Sequence, residues 1–449
     1  MQKSQRDFSR VYLLMPDFSF ALRALRARNY RLFFGGQSIS LVGTWMTRIA
    51  TSWLAWRLTH SAALLGVVSF AGQIFAFMLG PVAGVWGDRW NRHRALIVTQ
   101  VLSMVQSFAL AALALSGIIT IREIIALALC QGLINAFDMP IRQSFVIQMV
   151  ENREDLGNAI ALNASMVNAA SLAGPAIAGM LIAGVGEGYC FLIDGISYIA
   201  VVISLLRMRV KTARVTKPRR HLAEELHEGW SYVRGSLPIR SLLLNLGMVS
   251  MFGMPYSVLM PIFAADVLHG GANTLGFLMS AVGVGALIGT VSLTMRRSIV
   301  GLGRRIVLAT ALCGTALIAF GLSHVLWLSL LILPAVGFGM MQQMAPSNTI
   351  LQTIVDDEKR GRVMAFYSMA FQGMAPFGSL LAGNLAGRIG APRTMMINGA
   401  MCLVASAWFA RKLPAVREVV RPIYVRMGIL PEVALGVQQA ATMQEPPET

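Results

Sequence analysis

Residues 80–94 read GPVAGVWGDRWNRHR. This segment begins apolar and rich in glycine, passes through Asp88 and ends in a basic turn. The residues on either side of it, 62–79 and 95–117, carry no charged side chain. Apolar runs of about 20 residues are long enough to cross a hydrocarbon core of about 30 Å as helices. The pattern therefore indicates two membrane-spanning helices joined by a short basic loop.

Apolar runs of similar length recur along the whole chain. Of its 449 residues, 55% are hydrophobic and 13% are charged, whereas soluble proteins carry about 25% charged residues. Strands of an outer-membrane barrel would be about 10 residues long and would alternate in polarity, which these runs do not. We therefore predict an all-α membrane protein with twelve transmembrane helices, near residues 32–56, 62–86, 95–117, 121–144, 158–184, 189–207, 241–265, 274–295, 305–323, 325–352, 361–385 and 392–411.

The longest polar stretch separates the sixth run from the seventh. It contains the amphipathic segment HLAEELHEGWSYVRG and many basic residues, as expected for a linker between two helix bundles. We expect five segments: a basic N-terminus (1–31), a six-helix bundle (32–207), the linker (208–240), a second six-helix bundle (241–411) and a tail (412–449).

The formal net charge of +17 could indicate nucleic-acid binding, but the basic residues lie where topology requires them. They concentrate in the N-terminus, in the 80–94 loop and in the linker, which fall on one side of the membrane if the runs are consecutive spans. Short loops rich in Lys and Arg mark the cytoplasmic side. We therefore expect an inner (plasma) membrane protein with both termini in the cytoplasm and no nucleic-acid partner.

The two predicted bundles share a pattern of small residues. Five positions around the fifth run match the same residue type 204 positions later, which suggests a duplication with both copies in the same orientation. The matches are Gly157 with Gly361, Ala161 with Ala365, Gly174 with Gly378, Gly179 with Gly383 and Gly186 with Gly390.

The 80–94 segment strongly resembles the signature loop of the major facilitator superfamily, and span number, linker position and repeat agree. Asn91 stands where that family often has a turn glycine, a place where a residue at positive φ is expected. The resemblance implies that Asp88 faces the start of the eleventh span and holds the cytoplasmic side closed. A solvated basic turn with a topological role is the alternative. The residues that fill the motif are Gly84, Asp88, Arg89, Arg92 and Arg94.

Two further segments resemble exporters of this superfamily. Residues 168–181, NAASLAGPAIAGML, are similar to the fifth-span motif of antiporters, with Gly174, Pro175 and Gly179 carrying the match. Ordinary close packing of helices explains the same glycines. Residues 135–163 look like the branch that contains the bacterial enterobactin exporter and macrolide efflux pumps.

Charged residues inside apolar spans are expensive and are therefore the first functional candidates. Arg48 lies deep in the first run, and Asp194 lies at a similar depth in the sixth, so we hypothesise that they form a pair. Asp138 and Arg142 are four residues apart around Pro140 and should share a helix face. That second pair is either structural or involved in gating.

Polar residues of the first, fourth, seventh and tenth spans are candidates for lining a substrate cavity, by family resemblance. They are Gln37, Thr47, Asn135, Asn245, Gln342 and Gln343. The histidines and cysteines are scattered without ligand spacing, so we expect no metal and no cofactor.

The resemblance implies a secondary active transporter, not an enzyme. We expect export of a small hydrophobic or amphipathic compound, such as a drug or a siderophore, by proton antiport and alternating access. The phosphate-binding pattern GxxxxGK[ST] does not occur in the sequence, which disfavours ATP-driven transport by this chain alone. The partners would be the solute, the proton and the bilayer. An importer of a small nutrient is the alternative within the fold, and a membrane-embedded sensor or enzyme is the alternative outside it.

Overall fold

The computed structural model describes residues 22–79, 90–150, 153–209, 222–295 and 300–426. Within these ranges the chain is helical and contains no β-strand. Twelve long helices confirm the predicted fold class: α1 (Arg28–Thr59), α2 (Ala62–Leu79), α3 (Arg92–Leu115), α4 (Ile121–Met149), α5 (Leu156–Val185), α6 (Glu187–Leu206), α7 (Leu237–Val267), α8 (Ala272–Thr294), α9 (Leu302–Leu322), α10 (Leu326–Ile354), α11 (357–389) and α12 (Ala391–Arg426).

Nine of the helices in the described ranges are long and apolar enough to cross a membrane. The other three, α1, α11 and α12, are as long but more polar. Arg48 contributes to the polarity of α1, and α11 begins with the charged run DEKRGR. Length therefore identifies all twelve helices, whereas mean hydropathy alone misses these three.

The last helix is longer than its apolar run predicts. It continues past residue 411 to Arg426, although Pro414 and Pro422 lie within it. Leu413, Val416 and Val420 recur at helical spacing and are buried, which holds this extension against the rest of the protein. The first part of the expected tail is therefore helical.

Polar caps set the starts of several helices. The Ser61 hydroxyl accepts a hydrogen bond from the Leu64 amide at 3.4 Å, and the Asn91 side chain accepts one from the Arg94 amide at 3.2 Å. Asn91 has φ −66°, so the expectation that it replaces a glycine at positive φ is wrong. It caps α3 instead, because asparagine satisfies an amide that the helix leaves free.

The predicted amphipathic segment of the linker forms a helix, Leu222–Gly235, which we call the linker helix. It packs on the beginning of α11. Glu228 forms an ion pair with Arg362, and the Tyr232 hydroxyl lies 3.3 Å from the Asp356 carboxylate. We call the side of the bundle on which this helix lies the linker side.

The duplicated glycines occupy equivalent places in the structure. Gly186 ends α5 with φ 93°, and Gly390 ends α11 with φ 87°, a region that residues with a side chain rarely adopt. Gly174 lets α5 approach Trp45 of α1, and Gly378 lets α11 approach the corresponding helix α7. These equivalent contacts support the duplication.

Two helix pairs join α1–α6 to α7–α12. One pair is α5 with α8 and the other is α2 with α11. A methyl group on Gly276 of α8 would lie 2.6 Å from the Pro175 carbonyl oxygen of α5. A methyl group on Gly383 of α11 would lie 2.6 Å from the Ala62 carbonyl oxygen of α2. Both pairs therefore depend on glycine at the crossing point.

The apolar core is arranged differently on the two sides of the bundle. Away from the linker side, one large cluster contains buried residues of both groups of helices, such as Ala178 of α5 and Leu275 of α8. On the linker side the described residues form two separate clusters, one around Phe33 and Phe145 and one around Phe409. The two groups of helices thus share a buried apolar core on one side only.

We predict that Gly383→Ala destabilises the protein by about 1–3 kcal/mol, because the added methyl group must push α11 away from α2. Gly387→Ala is the matched control, since nothing lies within 4 Å of a methyl group at that position in the same helix. Thermal unfolding in detergent should show a lower midpoint for the first variant only. Equal midpoints for the two variants would contradict the role given to this crossing.

Candidate functional site

A cavity of about 410 Å³ lies between the two groups of helices. Helices α1, α2, α3, α4 and α6 form one wall, and α7, α8 and α11 form the other. The first wall is rich in polar side chains, including Thr47, Arg48, Gln73, Gln106, Ser107, Gln131, Asn135, Asp194 and Tyr198. The second is mainly apolar and includes Met254, Val258, Leu275, Met279, Phe371 and Ala375.

A wider helical turn shapes the second wall. Residues Met369–Gly373 of α11 form a π-helical turn, which places Phe371 and Gln372 along the cavity. The Ser250 hydroxyl of α7 donates a hydrogen bond to the Phe371 carbonyl. Turns of this kind interrupt helices most often at functional sites.

The Asp194 carboxylate lies in the polar wall and is 1% exposed. Its Oδ2 atom accepts hydrogen bonds from the Thr47 hydroxyl at 2.8 Å and from the Ser107 hydroxyl at 2.9 Å. Its Oδ1 atom has no partner among the described residues. A methyl group on Gly43 would lie 2.6 Å from that oxygen, so the glycine makes room for the carboxyl group.

Arg48 lies in the same cavity but does not pair with Asp194. Within the described part of the chain its guanidinium takes part in no ion pair. The guanidinium carbon lies 4.7 Å from the centre of the Trp45 ring, a cation–π contact. The predicted pair is therefore wrong. Successive helical residues point about 100° apart, so Thr47 faces α6 and Arg48 does not.

Asp138 and Arg142 form the predicted ion pair on one face of α4. The Asp138 carboxylate also accepts hydrogen bonds from the Thr99 hydroxyl and the Gln100 amide, each at 2.7 Å. Pro140 lies between the two charged residues within the same helix. Neither charged residue lines the cavity. This pair thus takes part in helix packing, whereas Asp194 and Arg48 line the cavity.

The other cavity candidates divide into two groups. Thr47 and Asn135 line the cavity, whereas Gln37, Asn245, Gln342 and Gln343 are buried elsewhere. Gln342, for example, donates a hydrogen bond to the Gly289 carbonyl at 2.8 Å and so joins α10 to α8. A polar side chain in a span either faces a cavity or bonds to a neighbouring helix, and sequence does not distinguish the two cases.

The signature loop is only partly visible. Gly84, Asp88 and Arg89 lie outside the described residues, while Arg92 and Arg94 belong to the first turn of α3. The contact expected between Asp88 and the start of α11 therefore stays a prediction.

The fifth-span motif lies entirely within α5. Gly174 packs against Trp45, and Gly179 packs against Gly276 of α8. Pro175 is buried within the helix, and its carbonyl is the group nearest to Gly276. This motif thus contacts both the helix that carries Arg48 and the opposite group of helices.

The sequence did not identify several residues of the site. Trp45, Gln73, Gln106, Gln131 and Tyr198 are among them. The signal was present, because glutamines within apolar runs are costly unless they bond or face water. Arg57 was also missed: it forms an ion pair at 3.0 Å with the buried Glu187, joining the ends of α1 and α6.

Comparison with known proteins identifies relatives over almost the whole chain. A family profile described as transmembrane secretion effector, within the major facilitator superfamily, matches residues 19–439. The staphyloferrin A transporter of Staphylococcus aureus is 24% identical, over 85% of this chain and 96% of that protein. Macrolide efflux protein A of Streptococcus pyogenes is 23% identical, over 84% of this chain and 94% of that protein.

A solved structure supports the fold. A bacterial homologue of the iron transporter ferroportin, in an inward-facing state, superposes with a TM-score of 0.67 at 15% identity. The match covers 86% of this chain and 98% of that one.

We predict that two carboxyl-to-amide changes reduce stability to very different extents. Asp138→Asn removes the charge that compensates Arg142 and should lower the free energy of unfolding by about 3 kcal/mol. This value is at the low end of the loss expected on breaking a buried ion pair, because the Arg142 side chain is 24% exposed. Asp194→Asn leaves no cation unpaired and keeps an acceptor for Thr47 and Ser107, so it should cost little. Thermal unfolding of both variants measures the difference. A larger loss for Asp194→Asn would show that its surroundings have been misjudged.

Proposed function

We propose a transport function for this chain, which belongs to the transmembrane secretion effector family of the major facilitator superfamily. In this proposal it exports a small amphipathic compound across the plasma membrane and is driven by proton antiport. Short loops rich in Lys and Arg mark the cytoplasmic side of a membrane protein. In this proposal both termini and the linker side therefore lie in the cytoplasm, since the basic residues concentrate in the N-terminus, in the 80–94 loop and in the linker.

The cavity between the two groups of helices is the observation that carries this proposal. Its volume of about 410 Å³ falls in the range of small-molecule sites, about 300–1,000 Å³. One wall offers hydroxyl, amide and charged groups, and the other offers methionine, aliphatic and aromatic surface. Such a cavity suits a solute that has both polar and apolar parts.

Alternating access is supported by how the two groups of helices meet. They touch through glycines at the α5–α8 and α2–α11 crossings and share an apolar core only away from the linker side. Helices that cross closely at glycines allow one group to rock against the other. In our proposal this motion exposes the cavity first to the cytoplasm and then to the outside.

Asp194 is the carboxyl group best placed to carry the proton. It is buried beside the cavity, accepts hydrogen bonds only from hydroxyl groups and has one oxygen without a partner in the described chain. Asp138 is held instead by Arg142 and two further donors. Burying an ionised carboxyl group without a cation costs more than burying the neutral acid. Asp194 is therefore suited to gain and lose a proton during the transport cycle.

Import of a polar nutrient is the second candidate, and the polar wall of the cavity is the observation that favours it. The two candidates differ in direction. Export carries solute into inverted vesicles, whereas import carries it into right-side-out cells.

We expect inverted vesicles that contain the protein to accumulate members of a panel of hydrophobic drugs and siderophores, and a protonophore to abolish the accumulation. Asp194→Asn should lose accumulation driven by protons but retain exchange of solute down its own gradient. Asp266→Asn, at an exposed carboxyl group near the end of α7, is the control. Unchanged proton-driven accumulation by Asp194→Asn would refute its assignment.

A cross-link across the α2–α11 crossing should stop transport. The hydroxyl oxygens of Ser69 and Ser379 are 3.1 Å apart, and these side chains belong to opposite groups of helices. We expect Ser69→Cys combined with Ser379→Cys to form a disulfide under oxidation and to lose transport until a reductant is added. Ser69→Cys alone should be insensitive to oxidant. Full transport by the oxidised double variant would contradict rocking about this crossing.

A further inference from the structure

Arg48 is a permanent positive charge that faces the cavity. A guanidinium group stays protonated in proteins and carries five N–H donors in a planar fork. The Arg48 side chain is exposed and lines the cavity between the two groups of helices. Within the described ranges it has neither an ion-pair partner nor a hydrogen-bond acceptor.

No carboxylate of the described residues pairs with Arg48. Asp194 is bonded to Thr47 and Ser107, and Asp138 is paired with Arg142. The buried Glu187 is paired with Arg57 at the far end of α1. The described part of the chain therefore places a cation in the cavity without an ion-pair partner for it.

The Arg48 side chain is also held in position. Its guanidinium lies over the Trp45 ring, one helical turn earlier in α1. The Cβ atom of Trp45 lies against Gly174 of α5, where an added methyl group would come within 2.5 Å of it. A cation fixed in this way loses little conformational freedom when it binds an anion.

The opposite wall is suited to the rest of such a ligand. Met254 and Val258 of α7, with Met279 of α8, offer apolar surface across the cavity from α1. Methionine side chains adapt to ligands of different shape. An anionic group on Arg48 would therefore leave an apolar body in contact with these residues.

We infer that Arg48 is an anion-recognition site and that the transported compounds are amphipathic organic acids, with a carboxylate bound by Arg48. This inference rests on the proposed transport function and narrows its substrate class. A planar guanidinium binds a carboxylate through two parallel hydrogen bonds, which neutral and cationic compounds lack. The cavity should therefore discriminate by charge as well as by apolar surface.

The test compares one acid with its neutral analogue. N-dansyl-phenylalanine and N-dansyl-phenylalanine amide differ only at the carboxyl group, and dansyl fluorescence reports their binding to the purified full-length protein at neutral pH. The acid should bind about tenfold more tightly than the amide. Arg48→Gln should reduce acid affinity about tenfold, to that of the amide, and leave amide affinity unchanged. Arg48→Lys should fall between, because it keeps the charge and loses the fork.

Arg31→Gln is the matched control, since it removes an exposed positive charge from the same helix outside the cavity. It should keep the preference for the acid. Equal binding of acid and amide, equal losses of both in Arg48→Gln, or no binding of the acid to the folded protein would each overturn the inference. The vesicle assay with hydrophobic compounds tests the transport function separately, because its outcome does not depend on this pair of probes.

Discussion

The close approach of helices at two glycine crossings is the constraint on which the rest of the structure depends. Gly276 meets the Pro175 carbonyl, and Gly383 meets the Ala62 carbonyl, so two groups of six helices touch backbone to backbone. Larger side chains there would hold the groups apart and open the space between them on every side. Glycine at the crossings lets the two groups pack closely away from the linker side, and the same glycines allow the helices to move relative to each other.

The duplication explains why the crossings come in pairs, but the two groups of helices have diverged in chemistry. Equivalent glycines end α5 and α11 and seat those helices on α1 and α7. The first group nevertheless supplies most of the polar lining of the cavity, and the second supplies most of its apolar lining. A symmetric frame thus encloses an asymmetric cavity, with Asp194 and Arg48 as two separate charged groups on one wall.

The sequence predicted the helices well because the length of each apolar run identifies a membrane span, even for α1, which contains Arg48. Contacts between spans were harder to predict. The depth of a residue in the membrane can be counted along its apolar run, but the direction in which its side chain points around the helix axis cannot. A single residue separates Thr47, which reaches Asp194, from Arg48, which does not. The same ambiguity separated Asn135 in the cavity from Gln342 in helix packing. The Asp138–Arg142 pair was predictable because both residues lie on one helix.

The most direct test is to measure distances between the two groups of helices on both sides of the bundle. Gly157 and Gly361 lie at the linker-side ends of α5 and α11, Gly184 and Gly387 lie at their opposite ends, and all four have open space around them. Spin labels on cysteines at each pair, read by pulsed electron resonance, should report reciprocal changes when a transported compound and a pH gradient are supplied. We expect the distance between the linker-side labels to shorten as the distance between the opposite labels lengthens. Distances that stay fixed on both sides during active transport would contradict it.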